Sequence, residues 1–167
     1  MRLMLIPTRR RRRRSGSQTI ELIVGMPILF FAFVAVVQYG IQMLVQQAVT
    51  QASVAAAREA GKGATLTEVV NAVNTVMAPH NIFVSNISGS KALVILETSD
   101  AAAATTTTTY GDPSQSGSPP TLALSANEAR VTICVALTHN PMLNAFPSVG
   151  FDTTGRFFQI SSLVKKE

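Results

Sequence analysis

The sequence predicts an α+β protein with a long N-terminal transmembrane and stalk helix, a short second helix and a small antiparallel sheet. Leu22–Val37 is an unbroken apolar run of sixteen residues, counting Gly25 and Pro27. Helical spacing of apolar residues continues beyond this run, and alternating segments follow in the C-terminal half. We therefore divide the chain into a basic leader 1–16, a transmembrane and stalk helix 17–62 and an extracytoplasmic α+β domain 63–167.

The positive charge of the chain is confined to the leader. Residues 1–16 carry seven arginines and no acid, whereas residues 17–167 carry seven basic and nine acidic residues. A nucleic-acid-binding domain spreads Lys and Arg over a folded face. The distribution therefore argues against nucleic acid as a partner.

The apolar run is long enough to span a bilayer. Leu22–Val45 contains 24 residues, and as a helix these would be roughly 36 Å long, against a hydrocarbon core of about 30 Å. Too little chain remains to bury the run, which argues against the core helix of a soluble protein. Arginines beside a membrane helix stay in the cytoplasm, so the C-terminal domain is expected across the membrane, and membrane lipid is an expected partner. The residues that set this topology are Arg9, Arg10, Arg11, Arg12, Arg13 and Arg14.

Three interpretations of the membrane segment compete. A secretory signal peptide would release a soluble protein, such as a secreted enzyme, but its apolar region is about 7–15 residues long and uncharged. Here the run is longer and is preceded by an acid, Glu21. An uncleaved single-span anchor carrying a small extracytoplasmic binding domain gives Glu21 no role. The third interpretation depends on that residue.

Glu21 stands fifth after Gly16, between the arginine run and the apolar helix. This spacing resembles the type IV pilin-like class, and "TIELIVGMPILFF", with Pro27 six residues after the Glu, is similar to the TadE-like pseudopilins of tight-adherence (Flp-type) pilus systems. The resemblance covers residues 9–61 and, loosely, the last ten. It departs at Leu22, where many Flp-type pilins have Tyr, and at Ser17, where pilin-like mature chains often begin with Phe or Met.

The resemblance implies a pilin-like fold and a role in assembling a pilus-like fibre or secretion apparatus in the bacterial cytoplasmic (inner) membrane. It implies that a prepilin peptidase cuts between Gly16 and Ser17, and that the partners are other pilin-like subunits and the pilus assembly platform. Glu21, one helical turn inside the new N-terminus, would then pair with the α-amine of a neighbouring subunit and set axial register, because an unpaired carboxylate near hydrocarbon is costly. A carboxylate that simply rests among lipid headgroups is the alternative. Pro27 removes a backbone donor and is expected to kink or loosen the helix.

A stripe of small and apolar residues continues the helix beyond the membrane. Val45 and Val49 share one face with Ala48, Ala52 and Ala56, which recur every four residues and permit close packing. This helix-packing face fits the chain's own domain and another subunit equally well. Gly61 or Gly63 is expected to end the helix.

The outer domain is expected to contain one helix and three or four strands. Thr65 and Glu68 form a capping-box pattern that opens a second helix, which Pro79 ends. Segments 82–87 and 92–97 flank Ser88-Gly89-Ser90, which predicts a hairpin. Alternation over 131–138 predicts a half-buried antiparallel strand, and 156–164 a last strand. The low-complexity stretch 101–121, "AAAATTTTTYGDPSQSGSPPT", is expected to be a flexible loop.

Catalytic patterns are missing from the sequence. It has no HExxH, no Gly-rich phosphate loop and no GxSxG. Cys134 is the only cysteine, expected to be a buried inert thiol, and His80 and His139 are expected to be exposed turn residues. We therefore expect no enzyme activity, no cofactor, no metal and no small-molecule substrate.

Overall fold

The computed structural model describes residues 15–86, 90, 92–115, 122–137 and 156–167. The chain divides into two compact units, Met1–Val37 and Gln38–Glu167. The fold is α+β, as predicted: a long N-terminal helix, a short second helix and a four-stranded antiparallel sheet.

Helix α1 runs over Ser15–Gly61 and contains Pro27 without a break in its helical assignment. In the first unit its described apolar side chains are exposed almost throughout, with Leu29 at 70% and Val36 at 70%. The helix ends as expected at Gly61, and Gly63 then adopts a φ of +78°, a conformation that glycine takes at little cost.

Helix α2, Leu66–Met77, begins at the predicted capping box. The Glu68 carboxylate accepts hydrogen bonds from the Thr65 backbone N–H at 2.7 Å and from its hydroxyl at 2.9 Å. These bonds favour the charged carboxylate and hold the pKa of Glu68 below its usual value. A 3₁₀ turn, Ala78–His80, follows and contains Pro79, so the α-helix ends where the proline predicts.

The sheet consists of β1, Ala92–Ser99; β2, Thr105–Gly111; β3, Glu128–Ala136; and β4, Phe157–Lys165. Its order is β2-β1-β3-β4, and every neighbouring pair is antiparallel. The register places Val94 opposite Ile133, and Ile133 opposite Ile160. A 3₁₀ turn, Pro113–Gln115, follows β2.

The predicted hairpin between 82–87 and 92–97 is wrong. Strand β1 pairs with β2 and β3 instead, and residues 82–86 form no strand. Their backbone is satisfied by a side chain of α2: the Asn74 amide donates to the Val84 carbonyl at 3.0 Å and accepts from the Val84 N–H at 2.8 Å. Ile82 and Val84 are buried, which explains their apolar spacing. Residues 87–89 of the predicted turn lie outside the described residues.

The prediction of a flexible loop over 101–121 is also wrong for residues 105–111. Residues 105–111 form β2, and only 100–104 make the connection from β1. The Asp100 carboxylate accepts hydrogen bonds from the N–H groups of Ala102 at 2.8 Å and Ala104 at 2.9 Å, an Asx turn that reverses the chain. Residues 116–121 lie outside the described residues.

Strand β3 is buried on both faces, whereas the alternation predicted one exposed face. Val131, Ile133 and Val135 face the helices, while Thr132 and Cys134 on the other face are also fully buried. The reason is position: β3 lies between two strands, and its second face packs with Leu93 and Ile95 of β1 in a smaller apolar cluster. The final strand, by contrast, is confirmed at 157–165.

The main core lies between the helices and one face of the sheet. Met77, Ile82 and Ile133 are among its largest fully buried side chains. The two helices contribute Val45, Val49, Ala52, Ala56, Ala60, Val69, Val70 and Val73.

Candidate functional site

The residues predicted to be functional concentrate at the start of α1. Because the helix begins at Ser15, Gly16 and Ser17 lie in its first turn. The six arginines Arg9–Arg14 lie outside the described residues. The predicted cleavage position therefore lies within the first turn of α1.

Glu21 is exposed one turn further along α1. It adjoins a shallow depression of about 350 Å³, lined also by Leu22, Gly25, Met26 and Leu29. Gly25 helps to open this space, because nothing lies within 4 Å of where its Cβ would be. Between Glu21 and Arg58 the sequence has no charged residue. Among the described residues that precede Arg58, Glu21 is thus the one charged residue, and open space lies beside it.

Pro27 lies on a purely apolar part of the same segment. A depression of about 570 Å³ beside it is lined by Leu22, Ile23, Met26, Pro27, Phe30 and Phe31. The proline supplies no backbone N–H, so α1 lacks one of its hydrogen bonds here. A helix in hydrocarbon tolerates such a gap when neighbouring groups or local adjustment compensate.

The exposed apolar surface of α1 makes this helix a candidate membrane span. Thr19–Gly61 is long and apolar enough to cross a bilayer, with a mean hydropathy of 2.6 over its most apolar window and only 6% of that window buried. A core helix of a soluble protein passes the same test of length and composition but is mostly buried. The exposure therefore favours a helix that meets lipid or other helices.

The helix-packing face of α1 is buried, whereas most apolar side chains earlier in the helix are exposed. Ala48, Ala52 and Ala56 are each 3% exposed or less, and Ala52 and Ala56 belong to the core formed with α2 and the sheet. On the same side, the Ser53 hydroxyl lies 2.9 Å from that of Ser162 in β4. Of the two open interpretations, the structure shows packing within the chain's own domain.

Sequence reasoning missed a buried ion pair. Glu97 in β1 lies directly opposite Arg130 in β3, and the Arg130 guanidinium donates to both carboxylate oxygens, from Nε at 2.6 Å and from Nη2 at 2.9 Å. These bonds raise the pKa of Arg130 above its ordinary value. Arg130 Nη1 also donates to the Leu122 carbonyl at 2.6 Å. The only available signal was the presence of opposite charges, Glu97 and Arg130, in two largely apolar strands.

Sequence reasoning also missed the exposed threonine strand. Thr105, Thr106, Thr107, Thr108 and Thr109 form most of β2, and all five are exposed. Threonine favours strands because its branched Cβ suits the pleated backbone. The low complexity of the same stretch predicts a loop instead, so the two local signals conflict.

The remaining candidate residues are one cysteine and two histidines. Cys134 is a buried thiol, as expected, whereas His80 ends the 3₁₀ turn half-buried rather than exposed. His139 lies outside the described residues. Within the described part of the chain, no group of three or more His, Cys, Asp or Glu is placed to hold a metal ion.

The described residues form an α+β fold whose N-terminal helix is a candidate membrane span. Residues 16–58 match the model of the family described as TadE-like protein. The match begins at Gly16 and covers nearly all of α1, so it confirms the TadE-like resemblance over this segment. Comparison with the curated proteins and with the solved structures found no match.

Proposed function

We propose that this protein is a pseudopilin-like membrane subunit that helps to assemble a tight-adherence (type IV pilus-like) fibre or secretion apparatus. The observation that carries the proposal is the TadE-like match over 16–58, which falls on the helix that bears Glu21. The exposed apolar surface of that helix supports membrane association. Its partners are other pilin-like subunits and the assembly platform, and it needs no enzymatic activity of its own.

Processing by a prepilin peptidase is the first step of the proposal. The match begins at the glycine after which the cut is expected, and the leader that would be removed holds Arg9–Arg14. Those arginines orient the chain with its N-terminus in the cytoplasm and its sheet domain outside the inner membrane. Removal of the leader leaves a new α-amine on Ser17.

Glu21 then sets the register between subunits. Its carboxylate is exposed next to the space at Gly25, and between Glu21 and Arg58 its own helix offers no charged residue. A neighbouring subunit's α-amine is the cation that an assembled complex supplies. Pairing two opposite charges in an apolar environment offsets the cost of placing either one there.

Mass spectrometry of the membrane-extracted protein tests processing. Co-expression with an active prepilin peptidase is expected to yield a chain that starts at Ser17, and Gly16→Leu is expected to retain the leader. Gly25→Leu, also a glycine within α1, serves as the matched control and should still be trimmed. A wild-type chain that keeps Met1 in the presence of active peptidase would contradict the processing step and favour an uncleaved single-span anchor.

Co-purification tests the assembly role separately. Glu21→Gln keeps the size of the side chain and removes its charge, so it is expected to be trimmed yet to lose most association with pilin-like subunits. Gln42→Glu introduces a charge 21 residues further along α1 than Glu21 and tests whether any carboxylate suffices. It should not restore association in the Glu21→Gln background. Unchanged co-purification of Glu21→Gln contradicts the register role.

A further inference from the structure

We propose that strand β2 of one copy pairs with strand β4 of a neighbouring copy, so that the sheets of successive copies join edge to edge. This inference rests on the proposed assembly function and names a second contact for it, distinct from the helix. Among the residues that the structure describes, β2 and β4 are the two edges of the sheet. No further described strand lies beside β2 or beside β4.

The β2 edge lacks the usual protection against pairing. Natural edge strands commonly carry a Lys, a Pro or a bulge that prevents another strand from adding. Thr105–Thr109 carries none of these, and the whole strand Thr105–Gly111 is uncharged. Its five threonines are exposed and favour the extended conformation. Such an edge is suited to accept a strand.

Strand direction selects β4 as the partner. All neighbouring strands in the sheet are antiparallel, so β2 and β4, at opposite ends of four strands, run in opposite directions. A copy shifted sideways without inversion therefore brings its β4 antiparallel to β2, and the alternation continues across the junction. This contact joins two different surfaces, which allows it to repeat along a fibre.

Side chains specify one register for this pairing. Two antiparallel registers keep helix-facing residues on one side and place all of β2 against β4. The proposed one sets Thr107 opposite Ser161 and Thr106 opposite Ser162. Hydroxyl groups then meet at the centre, and such cross-strand pairs stabilise a sheet. A threonine run alone would not define register, because a slip of two residues repeats the same pattern.

Aromatic residues at the other end of β2 distinguish this register from slipped ones. Tyr110 falls opposite Phe158, both half-buried against the main core of their own copy. Gly111 falls opposite Phe157, which is 42% exposed, and an aromatic ring can cover the backbone of a cross-strand glycine. The only charged residue in either strand is Lys165, which lies beyond the paired segment. No like charges oppose the contact.

Disulfide trapping in the full-length protein tests the pairing. Thr105 and Leu163 are opposite one another in the proposed register, and both are exposed. Within one chain, β2 and β4 are three strand spacings apart, roughly 14 Å, whereas a disulfide needs Cα atoms about 4.4–6.8 Å apart. A disulfide in Thr105→Cys/Leu163→Cys must therefore join two chains. Native Cys134 is buried, so the wild-type chain serves as the uncross-linked control.

Mild oxidation of membranes that contain Thr105→Cys/Leu163→Cys is expected to give a ladder of dimers, trimers and higher species on a non-reducing gel. Thr105→Cys/Gln159→Cys, displaced by four residues or roughly 14 Å, is the out-of-register control and should cross-link at least ten-fold less. Each single variant should remain monomeric. A ladder of equal intensity in the out-of-register pair, or none in the in-register pair while the circular-dichroism spectrum is unchanged, overturns the proposal.

Two further readouts separate this inference from its alternatives. Thr107→Cys alone should stay monomeric, whereas a dimer would show β2 pairing with itself about a two-fold axis and would overturn β2–β4 pairing. The N-terminal mass and co-purification are measured on the same membranes. A trimmed, co-purifying chain without the ladder contradicts strand pairing and leaves the proposed function intact, while a ladder from an untrimmed chain that does not co-purify supports strand pairing and contradicts the proposed function.

Discussion

The Glu97 carboxylate and the Arg130 guanidinium form a two-point ion pair on the face of the sheet opposite the helices. Glu97 is 8% exposed and Arg130 is 6% exposed, and the two side chains come from directly opposed positions of β1 and β3. A third guanidinium bond, to the Leu122 carbonyl, holds the chain that precedes β3 over this face. The pair therefore connects two central strands and a loop.

Removing one member of the pair is expected to destabilise the fold strongly. Arg130→Met leaves the Glu97 carboxylate buried and unpaired, which we expect to cost about 3–5 kcal/mol of unfolding free energy. The double variant Glu97→Leu/Arg130→Met removes both charges, so its loss should be smaller than that of the single variant. Urea unfolding of the detergent-solubilised chain, followed by circular dichroism, measures both. Equal losses would mean that the pair contributes through packing alone.

Enlarging a core alanine of α1 should disturb its packing on the sheet. Ala52→Leu places three extra carbon atoms where the alanine is fully buried, and overpacking of this kind costs about 1–3 kcal/mol. Gln51→Leu introduces the same side chain at the neighbouring, exposed position and should change stability by less than about 0.5 kcal/mol. Thermal unfolding compares the two. A loss for Ala52→Leu no larger than that for Gln51→Leu would contradict the buried environment.

Two glycines with positive φ should respond differently to alanine. At Gly111, with φ of +123°, a Cβ would lie 2.4 Å from the Ala92 carbonyl oxygen and 3.0 Å from the Leu93 Cα. Strained backbone and steric overlap together should cost about 3 kcal/mol or more. At Gly63, with φ of +78°, nothing lies within 4 Å of the added Cβ, so Gly63→Ala should cost only about 1–2 kcal/mol. Similar midpoints in thermal unfolding for both variants would contradict the close approach at the end of β2.

Local patterns were sufficient to predict the helices. The extent of α1 follows from an uncharged apolar run that continues into a helical stripe, and α2 is delimited by a capping box and a proline. These signals act between residues three or four positions apart in the chain. For the same reason the spacing from Gly16 to Glu21, together with Pro27 in the apolar run, was enough to indicate the TadE-like segment.

Strand pairing was predicted less well, because it depends on contacts between distant segments. Residues 82–86 have strand-like apolar spacing, but Asn74 supplies hydrogen bonds to Val84 that a neighbouring strand would otherwise make. The threonine run had strand propensity and low complexity at once, and only the presence of β1 beside it resolves that conflict. Glu97 and Arg130 are 33 residues apart, and no local pattern connects them.

The sequence by itself determined the arginine-rich N-terminus, the apolar helix with its single early acid and the second helix, because charge, hydropathy and helical periodicity are local properties. Tertiary structure alone decided that Ala52 and Ala56 pack within the chain's own domain, that β3 is buried on both faces and that a threonine strand forms an edge of the sheet. Those outcomes depend on which segments become neighbours. Burial and backbone pairing across the fold select them, and the free energy of each contact depends on at least two segments that are distant in the sequence.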